Sequence, residues 1–141
     1  MKLIWTLLAA ILLAPSAVAQ QNEPVEVAYF YKVKWGYQQE FEQLYMKNHY
    51  PVMNAEKERG RIKELRVYRP RFHGDGRNDW TFMVTITFAS WEAMGEPSQE
   101  EQIARKLYPD YETFRKEEQR RFELLEAHWD VPLSPIQPPA Q

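Results

Sequence analysis

The sequence predicts an α+β domain in which one antiparallel sheet carries its helices on a single face. Three observations point there. Segments of two-residue alternation stand apart from segments with a helical period, in the order strand, helix, strand, strand, helices, short strand. The clearest strand, 80–88, sets Trp80, Phe82, Val84, Ile86 and Phe88 on one side and Thr81, Met83, Thr85 and Thr87 on the other. No internal repeat and no second domain interrupt this order.

Taken in turn, residues 25–35 read as a strand because Val25, Val27, Tyr29, Tyr31 and Val33 alternate with Glu26, Ala28, Phe30, Lys32 and Lys34, and Gly36 ends it. Over 38–59 the period becomes helical, with Phe41, Leu44, Tyr45, Val52 and Ala55 on one stripe and Gly60 as the stop. A second strand is expected at 62–69, with Leu65 and Val67 pointing one way and Pro70 breaking it. The loop 71–78 is longer than a tight hairpin needs. After the strand at 80–88, Ser90 opens a short helical turn through Met94. Ser98-Gln99-Glu100-Glu101 then has capping-box spacing. Asp110 caps a last helix, to about Glu126, on which Tyr111, Phe114, Phe122 and Leu125 align; Glu112–Lys116 and Glu117–Arg121 are expected to pair along it. Residues 128–133 supply an edge strand. This is the ferredoxin-like βαββαβ order. It leaves one sheet face to meet solvent or a second subunit.

Residues 1–19 have the layout of an export leader: Lys2, an apolar run over 3–14 broken only by Thr6, then Ala17-Val18-Ala19 with small residues where a signal peptidase reads. Such a run falls short of the roughly twenty apolar residues that span a bilayer. The expected mature chain begins at Gln20 in a periplasmic or secreted location, with no stable membrane anchor after cleavage. That location argues against dependence on cytosolic ATP or nicotinamide pools. Residues 20–133 make the domain, and the Pro-rich 134–141 are expected to be a disordered tail.

Composition narrows the function further. The chain has 18 basic and 20 acidic residues, so removing Lys2 leaves 17 against 20, and nucleic acid is not an expected partner. The absence of cysteine excludes disulfides, thiol nucleophiles and thiolate metal sites. Five Trp, eight Tyr and seven Phe are many for a small monomer to bury, which points to an interface or an apolar pocket.

The strand Val27-Ala28-Tyr29-Phe30-Tyr31-Lys32-Val33-Lys34 leads through Gly36 into a helix bearing Glu40-Phe41-Glu42, Leu44-Tyr45 and His49-Tyr50-Pro51. This resembles the dimeric α/β-barrel superfamily, most of all its EthD-type branch, whose first helix carries a His-x-Pro element. The Trp91 region and the Arg-rich last helix are similar to NIPSNAP-type members. The likeness covers about 24–133. It implies a homodimer whose two sheets pack into a barrel, with a cleft between sheet and helices. Members include cofactor-free monooxygenases, polyketide cyclases, haem-degrading enzymes and proteins of no known activity, among which fold alone does not choose.

His49 is the sharpest candidate for chemistry. It borders the stripe of Phe41, Tyr45 and Val52, and Pro51 crowds the carbonyl of Lys47, at a cost of about 3 kcal/mol in a regular helix. A kink here would free that carbonyl and re-aim His49, either into a pocket or onto a backbone partner. Of the motif, His49 and Pro51 carry the resemblance; Tyr50 takes no role from it. Tyr31 or His128 would supply a second polar group, and Arg69 joins them as a candidate ligand-binding residue. His73, with Arg69, Arg71 and Arg77, lies either at an anion site or in a solvated loop. Glu118, on the stripe of Phe114 and Phe122, would have a raised pKa if desolvated; otherwise it pairs with a basic neighbour at a subunit interface.

The three histidines form no metal-spacing motif, and no metal or cofactor is expected, although a single axial haem ligand needs no motif. No Gly-x-Ser-x-Gly element supports a serine nucleophile. Three functions remain. The first is an exported dimer binding a small, partly apolar or aromatic ligand in its cleft. The second is a cofactor-independent acid–base enzyme, monooxygenase- or cyclase-like, with His49 moving the proton. The third is a structural or accessory dimer without a ligand.

Overall fold

The computed structural model describes residues 23–72, 79–136 and 138. The expected leader, residues 73–78 with His73, and half of the tail lie outside them. The elements are β1 (Val25–Val33), α1 (Gln38–Leu44), a π-helical turn (Tyr45–His49), α2 (Tyr50–Glu58), β2 (Ile62–Tyr68), β3 (Phe82–Phe88), α3 (Trp91–Gly95), α4 (Glu100–Leu107), α5 (Tyr111–Glu123) and β4 (Leu125–Leu133). The strands form one sheet in the order β2-β3-β1-β4, with every neighbouring pair antiparallel.

Alternation decides which side of each strand is covered. Val27 lies opposite Ile86 and Tyr31 opposite Phe82 on the face that meets the helices. There Val25, Val33, Val84, Phe88 and Ile62 pack in one core with Phe41, Tyr45, Val52 and Met53 of the first helical run and with Ile103, Ala104 and Leu124. The opposite face carries the rows Arg66–Thr85–Ala28–Val131 and Tyr68–Met83–Phe30–Trp129. Phe30 stacks on Trp129 at 5.4 Å and meets Trp80 edge-on at 6.1 Å. Among the described residues no helix covers that aromatic row.

The ends of the elements follow local chemistry. Gly36 and Gly60 adopt φ of +87° and +85°, the left-handed region that a turn and a helix stop require. Ser90 accepts from the Ala93 N–H and Asp110 from the Thr113 N–H, so α3 and α5 are capped as expected. The capping box at Ser98 does not form: its hydroxyl accepts from the Glu100 N–H, two residues on, and α4 starts after Gln99 with no side-chain cap. β3 begins at Phe82 because the Thr81 hydroxyl takes over the Val33 N–H at 2.8 Å, ending the ladder with a side chain. β4 starts three residues earlier than expected. The chain leaves α5 directly into pairing, with a register shift between Lys32 and Val33 that absorbs the extra residue.

Candidate functional site

The π-helical turn sets up the site. Its five residues end at His49, two before Pro51, and the Tyr50 N–H donates to the carbonyl of Tyr45, five residues back. This wider turn accommodates the proline at the expected break. The carbonyl of Lys47, left without its usual donor by Pro51, accepts from the Tyr108 hydroxyl at 2.8 Å, and that of Asn48 accepts from the same hydroxyl at 3.0 Å. Asn48 is buried and donates from Nδ2 to Glu117 Oε2 at 2.8 Å, while Lys47 Nζ donates to Oε1 at 2.7 Å. Glu117 is therefore tied to the π turn and not to Arg121, as the expected helix pair would have it. Hydrogen bonds from Lys47 and Asn48 hold its carboxyl below the ordinary range.

Tyr45 and His49, four apart across this turn, then face the sheet. Tyr29 and Tyr31 rise from β1, and His128 lies opposite Tyr31 on the neighbouring strand. These five residues line one cavity of about 260 Å³, walled by Met53, Ile62, Ile86, Phe88 and Met94. His128 stacks on the Tyr31 ring with centroids 4.2 Å apart and planes 10° from parallel. Its Nδ1 lies 2.9 Å from the carbonyl oxygen of Phe30. A carbonyl only accepts, so Nδ1 carries the proton, and Nε2 lies 3.4 Å from Asp130 Oδ1.

His49 is held from the helix side. Its Nδ1 lies 3.4 Å from Glu118 Oε2, and Glu118 in turn takes two bonds from Arg121, at 3.0 and 2.8 Å. Arg121 is only 1% exposed, and its guanidinium packs over the rings of Phe122, Tyr45 and Phe41 at 4.4, 5.6 and 5.9 Å. Burial alone would raise the Glu118 pKa. The polar contacts and charges of His49 and Arg121 outweigh it and hold the carboxyl at about 2. Of the two alternatives for Glu118, pairing with a basic neighbour is the one that forms, and the partners come from the same chain. An ionised carboxylate against Nδ1 leaves Nε2 as the free basic nitrogen of His49.

Sequence reasoning missed Arg121. The expected apolar stripe placed Phe122 inward, yet Phe122 is 54% exposed at the cavity mouth, while Arg121 and Leu124 are buried. The missed signal was Glu118 three residues before an arginine with aromatics on either side of the stripe. From sequence, Tyr29 and Tyr45 had only a place on a strand face and on a helix stripe. Burial raises both phenols, with Asp130 adding to the effect at Tyr29, which is pushed up to about 12. Tyr31 is raised by burial as well. All three are O–H donors at neutral pH.

The structure brings Tyr31, His49 and His128 together, but not Arg69. Arg69 lines a separate open groove of about 820 Å³ beside Trp35, Gln39, Met46 and Phe72, with Nη1 3.6 Å from Glu42. The residues that follow β2, the turn after β1 and one side of α1 build that groove, which shares none of the tyrosines. Among the described residues no cluster of three or more metal-ligating side chains forms.

No family model and no curated protein matches the sequence. Solved structures do match. A hypothetical protein of Arabidopsis thaliana is 16% identical over 86% of this chain and 96% of its own, with a TM-score of 0.54. A candidate antibiotic biosynthesis monooxygenase from Caulobacter crescentus is 13% identical over 85% and 96%, also at 0.54. A NIPSNAP family protein from Agrobacterium tumefaciens is 16% identical over 82% and 88%, at 0.50. The four-stranded sheet, its order and these likenesses agree: the chain has a ferredoxin-like α+β fold.

Proposed function

We propose that this chain is an exported homodimer that binds a small, partly apolar or aromatic molecule in the cavity between sheet and helices. The observation that carries the reading is the convergence of Tyr31, His49 and His128, from three separate elements, on one cavity with apolar walls. The dimer is supported by the uncovered aromatic row of Phe30, Trp129 and Met83, since burying each large apolar side chain contributes about 1.5–3 kcal/mol. Export is supported by residues 1–19. Replacing His49 with alanine tests the ligand site. Binding of a panel of small aromatic compounds should weaken at least about tenfold, while the melting temperature falls by only a few degrees. A large fall in melting temperature with unchanged binding would reject the pocket role.

A second reading, a cofactor-independent acid–base enzyme, is favoured by one specific feature: the Arg121–Glu118–His49 chain. Glu118 fixes the tautomer and steadies the imidazolium formed when Nε2 takes a proton from a bound ligand. The name of the Caulobacter neighbour suits this reading. Turnover of a bound compound that disappears in His49→Ala would separate it from simple binding. A dimer that binds nothing on the panel would leave the structural role.

A further inference from the structure

The open groove beside α1 has no part in the functions above, and its lining is unlike that of the tyrosine cavity. Gln38, Gln39, Glu42, Gln43 and Met46 recur at the spacing of one helix face and make one wall. Arg69, Arg71 and Phe72 come from the residues after β2, and Trp35 from the turn after β1. The buried members, Val33 and Phe82, belong to the helix-covered core and not to the sheet face of Phe30 and Trp129. Trp35 and Phe72 are 80% and 81% exposed, more than any other aromatic side chain among the described residues. Core packing does not account for their place on one groove. Exposed apolar groups rimmed by polar ones mark a binding surface.

The polar groups decide what such a groove takes. An amide offers donors and an acceptor together, as a sugar hydroxyl does. Gln39 and Gln43 commit neither to a protein partner among the described residues, and Gln38 uses its oxygen on the Gly36 N–H at 3.1 Å. Glu42 and Arg69, 3.6 Å apart, set an acceptor beside donors, a pattern that neighbouring hydroxyls match. A purely apolar ligand would strip water from this wall and replace none of its hydrogen bonds. A sugar ring has C–H faces for the aromatic rings and a rim of hydroxyls for the amides. Charge adds one demand. Arg69 and Glu42 balance, while Arg71 has no carboxylate partner among the described residues, so one guanidinium is left for an anion. The volume of about 820 Å³ falls within the roughly 300–1,000 Å³ of ligand sites, with room for more than one ring.

We propose that this groove is a second binding site, for a short oligosaccharide that contains uronic acid. Its rings lie against Trp35 and Phe72, its hydroxyls meet Gln39, Gln43 and Glu42, and a carboxylate pairs with Arg71.

The test uses the mature chain and four probes titrated by calorimetry: trigalacturonate, trimannuronate, the neutral maltotriose, and benzoate, a carboxylate on an aromatic ring. The better of the two uronates should bind at least about tenfold more tightly than maltotriose, through the charge-assisted pair with Arg71. Arg71→Gln should bring the two within about threefold and leave maltotriose as it was. Trp35→Ala and Phe72→Ala should each weaken the uronate at least about fivefold. Both side chains are exposed, so neither change unfolds the chain. Binding of small aromatic compounds in the tyrosine cavity should be the same in all three variants, which separates the two sites. Failure of both uronates to bind would overturn the saccharide site, whatever the cavity binds. Maltotriose or benzoate binding as tightly as the uronates would overturn the ligand class. Uronate binding undiminished by all three substitutions would overturn its assignment to this groove.

Discussion

Glu118→Gln is the most informative single change. It removes one charge, keeps the volume, and leaves Arg121 buried without its counter-ion. Two routes give its magnitude. A carboxyl held at about 2 instead of its ordinary 4.5 corresponds to about 3 kcal/mol of folding free energy at neutral pH. Breaking a buried pair by removing one partner costs about 3–5 kcal/mol. The 16% exposure of Glu118 places the expected loss at the lower end, about 3 kcal/mol, or roughly 10 °C in melting temperature for a domain of this size. The sign of the pH dependence follows from the depressed pKa. Stability from the ionised form is complete above the ordinary value of 4.5 and is lost as pH falls toward about 2. Urea unfolding of both proteins should therefore show a gap of about 3 kcal/mol near pH 7 that closes as the parent's own Glu118 protonates near pH 2. A gap below about 1 kcal/mol near neutral pH, or one that stays constant across the range, would refute the pairing as described.

Three further outcomes are expected. Tyr108→Phe should cost about 1–3 kcal/mol in urea unfolding, because the Lys47 and Asn48 carbonyls lose their donor; a change of a few tenths would show that water replaces it freely. Light scattering over a dilution series should report a dimer, shifted toward monomer by Trp129→Lys; a well-folded parent monomer at micromolar concentration would reject the interface. Intact mass of protein recovered from the cell envelope should begin at Gln20, and a mass that retains residues 1–19 would overturn the leader.

Alternation and caps made most of the fold legible from sequence. β1 and β3 were readable because their faces differ: valines and tyrosines against charges in one, large apolar groups against threonines in the other. Asp110 was readable because a cap is local, needing only its own side chain and the Thr113 N–H. The π turn was not, since its hydrogen bonds shift by one residue without changing composition. Pro51 signalled a break but not its form. The start of β4 was hidden for a similar reason: Leu124 and Leu125 continue the helical stripe in sequence, and pairing with Val33 ends it in space.

The site was legible as residues and illegible as a constellation. Tyr31, His49 and His128 could be nominated singly by chemistry, but their meeting depends on sheet register, which pairs Tyr31 with His128, and on the turn that carries His49 over them. Arg69, nominated on the same grounds, follows β2 and lines another groove. Arg121 escaped because an apolar stripe leaves no place for a guanidinium unless its partner is found first. Stability alone gives little reason to place one there. Apolar residues of similar volume replacing a whole buried ion pair are often neutral or stabilising, while loss of one partner is costly. What Glu118 and Arg121 add that a Met and a Leu would not is a fixed imidazole. With a carboxylate on Nδ1 and an arginine holding that carboxylate from behind, the tautomer of His49 is set and its basic nitrogen is left for the cavity.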